Sequence, residues 1–287
     1  MRMANLDGRL VVLRGGGAVD VEEASGGAFA SDPQAVFDRW PEFLAWADSS
    51  DPEDEGKPYD ERSLGAPVPR PRQIFAIGLN YHDHVAESGL KPPEHPSVFT
   101  KYPTSLTGPY AEIALPSAYT DWEVELVVAI GQRAHDVSEA EAWDHVAGLT
   151  VGQDLSERRI QLQGAAPQFS LGKSFPGFSP IGPSLVTPDE LPDPDDLELS
   201  CAIGDETLQL ARTRQMVFRV AEQISWISRI CPLLPGDLIF TGTPAGVGGA
   251  RDPRRFLAPG EELRSRIPGI GELRNRLVAG PSYPTGP

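Results

Sequence analysis

The stretch Asp121-Trp-Glu-Val-Glu-Leu-Val-Val-Ala-Ile-Gly131 constrains this chain more than any other. Residues 126–130 are apolar without alternation, which predicts a strand covered on both faces and central in a sheet. Residues two apart on a strand share a face, so Glu123 and Glu125 point the same way where that strand begins. Two like charges at a buried strand start repel each other and are poorly solvated. A hard divalent cation resolves the conflict, and all-oxygen ligation favours Mg2+, Mn2+ or Ca2+ over Zn2+. The competing reading is a sheet-edge pair facing water. A third oxygen donor stands at the end of the next strand candidate, Gly148-Leu-Thr-Val-Gly-Gln-Asp154. An acid in that position is otherwise a turn residue or a helix cap.

Three further segments carry chemistry. In Asn80-Tyr-His-Asp-His-Val-Ala-Glu-Ser-Gly89, His84 and Glu87 are three apart and share one face of a helical turn. A carboxylate beside an imidazole fixes its tautomer and raises its basicity, which suits water activation; the alternative is an exposed polar turn. His82 would face away from Glu87. Lys173, in Ser170-Leu-Gly-Lys-Ser-Phe175, reads either as a partly buried group that polarises a carbonyl or as an ordinary surface lysine. Thr241-Gly-Thr-Pro-Ala-Gly-Val-Gly-Gly249 lacks the Gly-Lys-Ser/Thr of a nucleotide loop. It is a backbone cradle for a carboxylate or carbonyl, or a tight structural turn.

The rest of the pattern is a β-rich α+β chain. Residues 9–13 and 18–21 predict a hairpin across Gly15-Gly-Gly17, and a helix opens at Ser31-Asp-Pro with its apolar stripe running to Ala47. Strands are expected at 75–79, 126–130, 147–151, 197–203 and 238–241, and a helix from about 215 to 230 with Thr213 as its cap. The boundaries expected are a small N-terminal domain with an acidic linker over 1–69, a catalytic domain over 70–280 and a tail over 281–287.

The 287 residues carry a net charge of −16, and 14 acids against 6 bases lie before residue 70. Half of the excess acid therefore sits in the first quarter of the chain. Such acidity excludes the phosphate backbone of nucleic acid and anionic membrane surfaces as partners, since both reward clustered Lys and Arg. Two cysteines without a CxxC, no secretory start and no apolar run of spanning length lead to the expectation of a cytoplasmic protein.

Taken in order, Leu79-Asn-Tyr-x-x-His84-x-x-Glu87, Asp121-Trp-Glu-Val-Glu125, Gly152-Gln-Asp154, Leu171-Gly-Lys-Ser-Phe175, Thr241-Gly-Thr-Pro-Ala-Gly-Val-Gly248 and Gly271-Glu-Leu-Arg-Asn275 closely resemble the fumarylacetoacetate hydrolase family. The resemblance runs from about Gln73 to Leu277. It implies a mixed β-sandwich roll, a homodimer, and Mg2+ or Mn2+ held by Glu123, Glu125 and Asp154. It also implies a His84–Glu87 dyad on a segment that closes over substrate, a catalytic Lys173, and substrate contacts from Arg158, Gln161 and Thr243. One departure stands out. Relatives often read Ser-Ala-Arg-Asp-x-Gln after the third ligand, whereas this chain has Ser156-Glu-Arg-Arg-Ile-Gln161.

The expected activity is metal-dependent hydrolysis of a C–C bond in an acylpyruvate-type β-diketo acid. The substrate chelates the metal, His84 and Glu87 activate water, and the metal and Lys173 stabilise the enolate left behind. Isomerisation, decarboxylation or hydration of a 2-oxo acid on the same site is the alternative, and a non-catalytic metal-binding scaffold is the third reading.

Overall fold

The computed structural model describes residues 1–49 and 56–281. The acidic linker expected within 1–69 falls partly outside them, and the tail 281–287 does so except for its first residue.

Two sheets carry the fold. The larger holds β1 (Arg2–Leu6), β2 (Arg9–Arg14), β3 (Gly17–Asp20), β4 (Ile74–Gly78), β5 (Ser97–Thr100), β7 (Val124–Ile130), β8 (Val146–Gln153), β9 (Ser179–Val186) and β12 (Leu238–Phe240), and the smaller begins with β6 (Ile113–Leu115). The order across the larger sheet is β3-β2-β1-β9-β8-β7-β12-β4-β5, with two short strands paired beside it. The smaller sheet is completed by β10 (Glu198–Ile203), β11 (Glu206–Arg212), β13 (Glu262–Ile267) and β14 (Gly271–Ala279), in the order β11-β10-β13-β14-β6. Five helices matter below: α1 (Trp40–Ser49), α2 (His82–Ser88), α3 (Arg158–Gln161), α4 (Phe169–Gly172) and α5 (Val220–Ile230). The chain is thus a β-rich α+β fold, as its patterning led us to expect.

β7 is central and buried along its whole length. Its even residues, Val124, Leu126, Val128 and Ile130, enter the core shared with Leu199, Leu263 and Leu273 of the smaller sheet and with Ile224 and Ile227 of α5. Val127 and Ala129 point the other way, into a core with Trp40 and Phe43 of α1, Met3 of β1, and Leu10 and Val12 of β2. Each fully buried large apolar side chain in these layers is worth roughly 1.5–3 kcal/mol. Of the segment 1–69, expected as a small N-terminal domain with an acidic linker, the described strands β1–β3 join the larger sheet and α1 packs into the core against it. Its entry point is β1 against β9, with Arg2 opposite Val186 and Met3 opposite Leu185.

The helix expected from about 215 is shorter than its apolar stripe. A 3-10 turn covers Thr213–Gln215 and α5 starts only at Val220. The residues between are used to anchor the turn after β4: the Val217 amide donates to the Asn80 carbonyl at 2.8 Å and the Phe218 amide to Asn80 Oδ1 at 2.9 Å. Thr213 caps no helix end; its hydroxyl accepts from the Leu197 amide at 2.8 Å and donates to the Asp195 carbonyl at 3.0 Å. The first expected helix likewise divides into a 3-10 turn, Ala35–Arg39, and then α1.

Candidate active site

The pairing of β7 with β8 assembles the acidic cluster. Val124 lies opposite Gln153 and Glu125 opposite Gly152, so the two strand ends bring Glu123, Glu125 and Asp154 together. The Asp154 amide donates to the Glu123 carbonyl at 2.9 Å, and the Glu123 amide donates to Gln153 Oε1 at 2.8 Å. All three acids are buried, and one oxygen of each lies within 4.8 Å of the others.

Three cations surround them. Lys173 Nζ donates to Glu123 Oε2 at 2.7 Å and to Asp154 Oδ2 at 2.6 Å. Lys101, fully buried just beyond β5, donates to Asp154 Oδ1 at 2.5 Å, to the Phe178 carbonyl at 3.2 Å and to the Lys173 carbonyl. Arg158, at the start of α3, donates to Glu123 Oε1 at 2.7 Å, to Gln161 Oε1 at 2.9 Å and to Asp121 Oδ2 at 2.8 Å.

These contacts divide the carboxylates electrostatically. Burial raises the Glu123 pKa, but Lys173 and then Arg158 outweigh it and leave the group at about 2. Glu125 is pushed well above the usual carboxylate range by burial, by Asp154 and by Glu123. Lys173 is raised, because its two carboxylate partners outweigh burial. Lys101 is lowered, because burial, together with the nearby Lys173, outweighs Asp154.

Four buried carboxylates, Asp121, Glu123, Glu125 and Asp154, thus meet three cations, and among the described residues Glu125 is the one of the four without an ion pair. It accepts a hydrogen bond from the Gly242 amide at 2.8 Å. A buried carboxylate in that state calls for a proton or an added cation. Three converging carboxylates suit a hard divalent ion, so the residues present fit one.

The glycine-rich turn serves as a cradle, and the carboxylates it holds are the protein's own. Gly242 donates to Glu125, Gly246 to Glu87 Oε2 at 2.9 Å, and Gly248 and Gly249 to the two oxygens of Asp121 at 2.7 and 2.8 Å. Gly242 has φ +101°, and a Cβ there would stand 2.6 Å from Asn80 Cβ, so both conformation and space require glycine. Thr243 lines the cavity, but its hydroxyl donates to the Val124 carbonyl at 2.9 Å and accepts from Gln209 at 2.9 Å.

His84 and Glu87 lie on α2, with His84 Nδ1 2.6 Å from Glu87 Oε1. They open onto a cavity of about 680 Å3 whose wall also includes Glu123, Arg158, Gln161 and Lys173. His82, at the start of α2, is exposed and lies outside that wall. The nine candidate residues are therefore all gathered at one site: Glu125 and Asp154 in the acidic cluster beside the cavity, the other seven on its wall.

Two members of the site had no role assigned from the sequence. Asp121 shares the strand parity of Glu123 and Glu125, a signal that was present but unread. Lys101 follows Ser97-Val-Phe-Thr100, and nothing local distinguishes it from a surface lysine. The divergent pair in the Arg158 segment lies outside the cavity wall. Glu157 caps α3, accepting from the Ile160 amide at 2.7 Å and from the Ser117 hydroxyl at 2.7 Å. The Arg159 guanidinium lies 3.5 Å over the Tyr119 ring.

Comparison with known proteins agrees with this geometry. Residues 73–278 match the fumarylacetoacetate (FAA) hydrolase C-terminal family. A mitochondrial oxaloacetate tautomerase of Bos taurus is 43% identical over 223 residues, covering 77% of this chain and 71% of that protein. A solved structure described as a "putative HpcE protein" from Mycobacterium smegmatis is 53% identical, with TM-score 0.93 over 97% of this chain and 99% of the other. A maleylpyruvate hydrolase from Sphingobium sp. SYK-6, solved with manganese(II) and pyruvate, is 27% identical with TM-score 0.77, covering 98% of this chain and 100% of its own. Among the described residues no helix is long and apolar enough to cross a membrane. The acidic cluster, the buried lysines and the His–Glu pair sit on a fold and a sequence that agree, and the chain belongs to the fumarylacetoacetate hydrolase family of enzymes.

Proposed function

We propose that this protein moves a proton at the carbon beside the keto group of a 2-oxo acid, a metal-dependent keto–enol tautomerisation or isomerisation. The observation that carries the proposal is the convergence, around one cavity, of a hydrogen-bonded His84–Glu87 pair with the acidic cluster, Lys173 and Arg158. The name of the Bos taurus relative points the same way.

A Mg2+ or Mn2+ ion held by Glu123, Glu125 and Asp154 would supply Lewis acidity toward the substrate's keto and carboxylate oxygens. The chain's own groups do the rest. Arg158, fixed by Asp121 and Glu123, presents a guanidinium to the substrate carboxylate, and Gln161 holds it from the cavity side. Glu87 engages Nδ1 of His84, which leaves Nε2 to take the proton from carbon. The C–H electron pair becomes a C=C bond as the carbonyl π pair moves to the keto oxygen, and Lys173 stabilises the enolate charge so formed. The same His84 nitrogen returns the proton to oxygen or to carbon, completing the exchange without a co-reactant.

C–C hydrolysis is the second reading, and the size of the cavity favours it. About 680 Å3 leaves room for a water beside His84 and for an acyl group beyond the oxo-acid head. In that case His84 deprotonates water, and the hydroxide adds to the carbonyl remote from the oxo-acid head. Collapse of that adduct breaks the C–C bond to release a carboxylic acid and an enolate that takes up the proton.

The test follows freshly dissolved enol-oxaloacetate by its enol absorbance in Mn2+ and in EDTA, with wild type and His84→Asn. Metal-dependent acceleration lost in the variant supports tautomerisation. No acceleration over Mn2+ in buffer ends that reading, and release of pyruvate from an acylpyruvate puts hydrolysis in its place.

A further inference from the structure

Glu123 and Glu125 flank the first residue of β7, at a level where one neighbouring strand has already turned away. β12 pairs with β7 only from Val127 to Ala129, and after Phe240 the chain leaves the sheet for the glycine-rich turn. Val124, between the two acids, is fully buried. Its backbone N–H and C=O therefore need partners that no strand supplies on that side.

Side chains supply them, and they close a ring. The Val124 amide donates to Gln209 Oε1 at 2.9 Å, Gln209 Nε2 donates to the Thr243 hydroxyl at 2.9 Å, and that hydroxyl donates to the Val124 carbonyl at 2.9 Å. Gln209 Nε2 also donates to the Pro244 carbonyl at 2.8 Å. The preceding amide, that of Glu123, is held in the same manner by Gln153 Oε1, and Gln153 Nε2 donates to the Ser265 hydroxyl on β13 at 2.9 Å. Gln209 reaches the ring through an irregularity in β11. Cys201 lies opposite Gln209 and Ala202 opposite Thr207, so Leu208 is the extra residue of a bulge. Leu208 and Gln209 are both buried, although a regular strand would point them to opposite faces.

Among the described residues none from the smaller sheet lines the cavity, yet that sheet reaches the backbone that carries the acids. We propose that Gln209 is a positioning residue of the metal centre: through its ring with Thr243 it fixes Val124, and with it the spacing of the Glu123 and Glu125 carboxylates. The inference rests on the divalent-metal reading above and adds how the chain shapes that site. A methionine would fill the same space without the cost of burying an amide, so packing alone does not call for glutamine. The ring also ties the acidic strand end to the turn whose amides hold Glu125, Glu87 and Asp121.

The experiment reads Mn2+ binding without substrate, so it does not depend on which reaction follows. Gln209→Met keeps the volume and opens the ring. In calorimetry against MnCl2 its affinity is expected to fall about 10- to 100-fold, the usual range for groups that orient metal ligands. The EPR spectrum of the bound Mn2+ is expected to broaden, because the carboxylates are no longer held at one spacing. Thr243→Val opens the same ring at another bond, so it should lose as much, and the double variant should bind no more weakly than either single one. Thr243→Ser keeps the hydroxyl and should bind as wild type does. Asn275→Leu removes another buried amide of the smaller sheet, one that donates to the Pro109 and Ala111 carbonyls. It is expected to lower the melting temperature and leave Mn2+ affinity unchanged. A folded Gln209→Met protein with wild-type Mn2+ affinity would overturn the proposal. If that variant does not fold, the Thr243 pair decides: a loss confined to valine supports the ring, and equal affinities overturn it. Wild-type protein that binds no Mn2+ would remove the metal reading itself.

Discussion

The ammonium of Lys101 is bonded to the backbone carbonyl of Lys173, and the two lysines hold one oxygen each of Asp154. One buried cation thereby fixes the segment that carries the other. Removing a partner from a buried ion pair leaves its counterpart uncompensated, at a cost of about 3–5 kcal/mol. Lys101→Met is therefore expected to lower the urea unfolding free energy by about 3 kcal/mol or more and to displace Lys173. A midpoint equal to wild type would show that Lys101 does not brace the site.

The state of Glu125 sets a pH dependence. Its carboxyl is raised above the ordinary 4.5, so its contribution to stability is fully present below that value and is lost as pH climbs through its folded pKa. Glu123 behaves in the opposite sense: lowered to about 2, it contributes above 4.5 and loses that contribution only as pH falls toward 2. Of these two acids, Glu125 is the one whose contribution is lost as pH rises above the ordinary carboxylate range. In EDTA, the melting temperature of wild type is expected to fall relative to that of Glu125→Gln as pH rises above that range. Parallel curves for the two proteins would refute the assignment.

Metal should reverse that loss. A ligand that binds only the folded state stabilises it by mass action, and a divalent cation replaces the proton that Glu125 otherwise needs. Millimolar Mn2+ is expected to raise the wild-type melting temperature more at pH 8 than at pH 6, and to have little effect on Glu125→Gln. Scanning fluorimetry at the two pH values decides it, and an equal shift in the variant would place the ion elsewhere.

Asp121 does not itself line the cavity, yet it accepts hydrogen bonds from Arg158 and from the amides of Gly248 and Gly249. It acts as a positioning residue. Asp121→Asn keeps the shape and loses the charge facing the guanidinium. We expect KM for a processed 2-oxo acid to rise about tenfold, kcat to change by less than threefold, and Mn2+ affinity to hold within about twofold, since a lost charged hydrogen bond costs about 1.5–3 kcal/mol. A variant with normal KM but weakened Mn2+ binding would contradict this.

The two residues that depart from the family's usual reading should affect stability more than selectivity. Glu157→Ala removes the cap of α3 and is expected to cost about 1 kcal/mol, with a modest rise in KM through Arg158. Arg159→Ala removes a cation–π contact worth about 0.5–1 kcal/mol and should leave substrate preference unchanged. A switch in preferred substrate in the Arg159 variant would mean that Arg159 reaches the cavity.

Much of this protein was legible because the relevant patterns are local. The period-two placement of Glu123 and Glu125, the unbroken apolar run that follows them and Asp154 at the next strand end all reflect backbone geometry acting over a few residues. The three-residue spacing of His84 and Glu87 reflects a single helical turn. The sequence by itself thus determined a buried acidic strand end with a His–Glu pair, on a β-rich chain. Only the tertiary structure decided which charges neutralise which. Lys101 reaches Asp154 across 53 residues, Asp121 receives the glycine turn across 127 and 128, and the hairpin at 2–20 joins the sheet through a strand near residue 185. A buried ion pair depends on distance and desolvation, and these are set when strands far apart in sequence become neighbours. The same assembly tied Arg251 and Arg255 to Glu206, which lies 45 and 49 residues away in the chain.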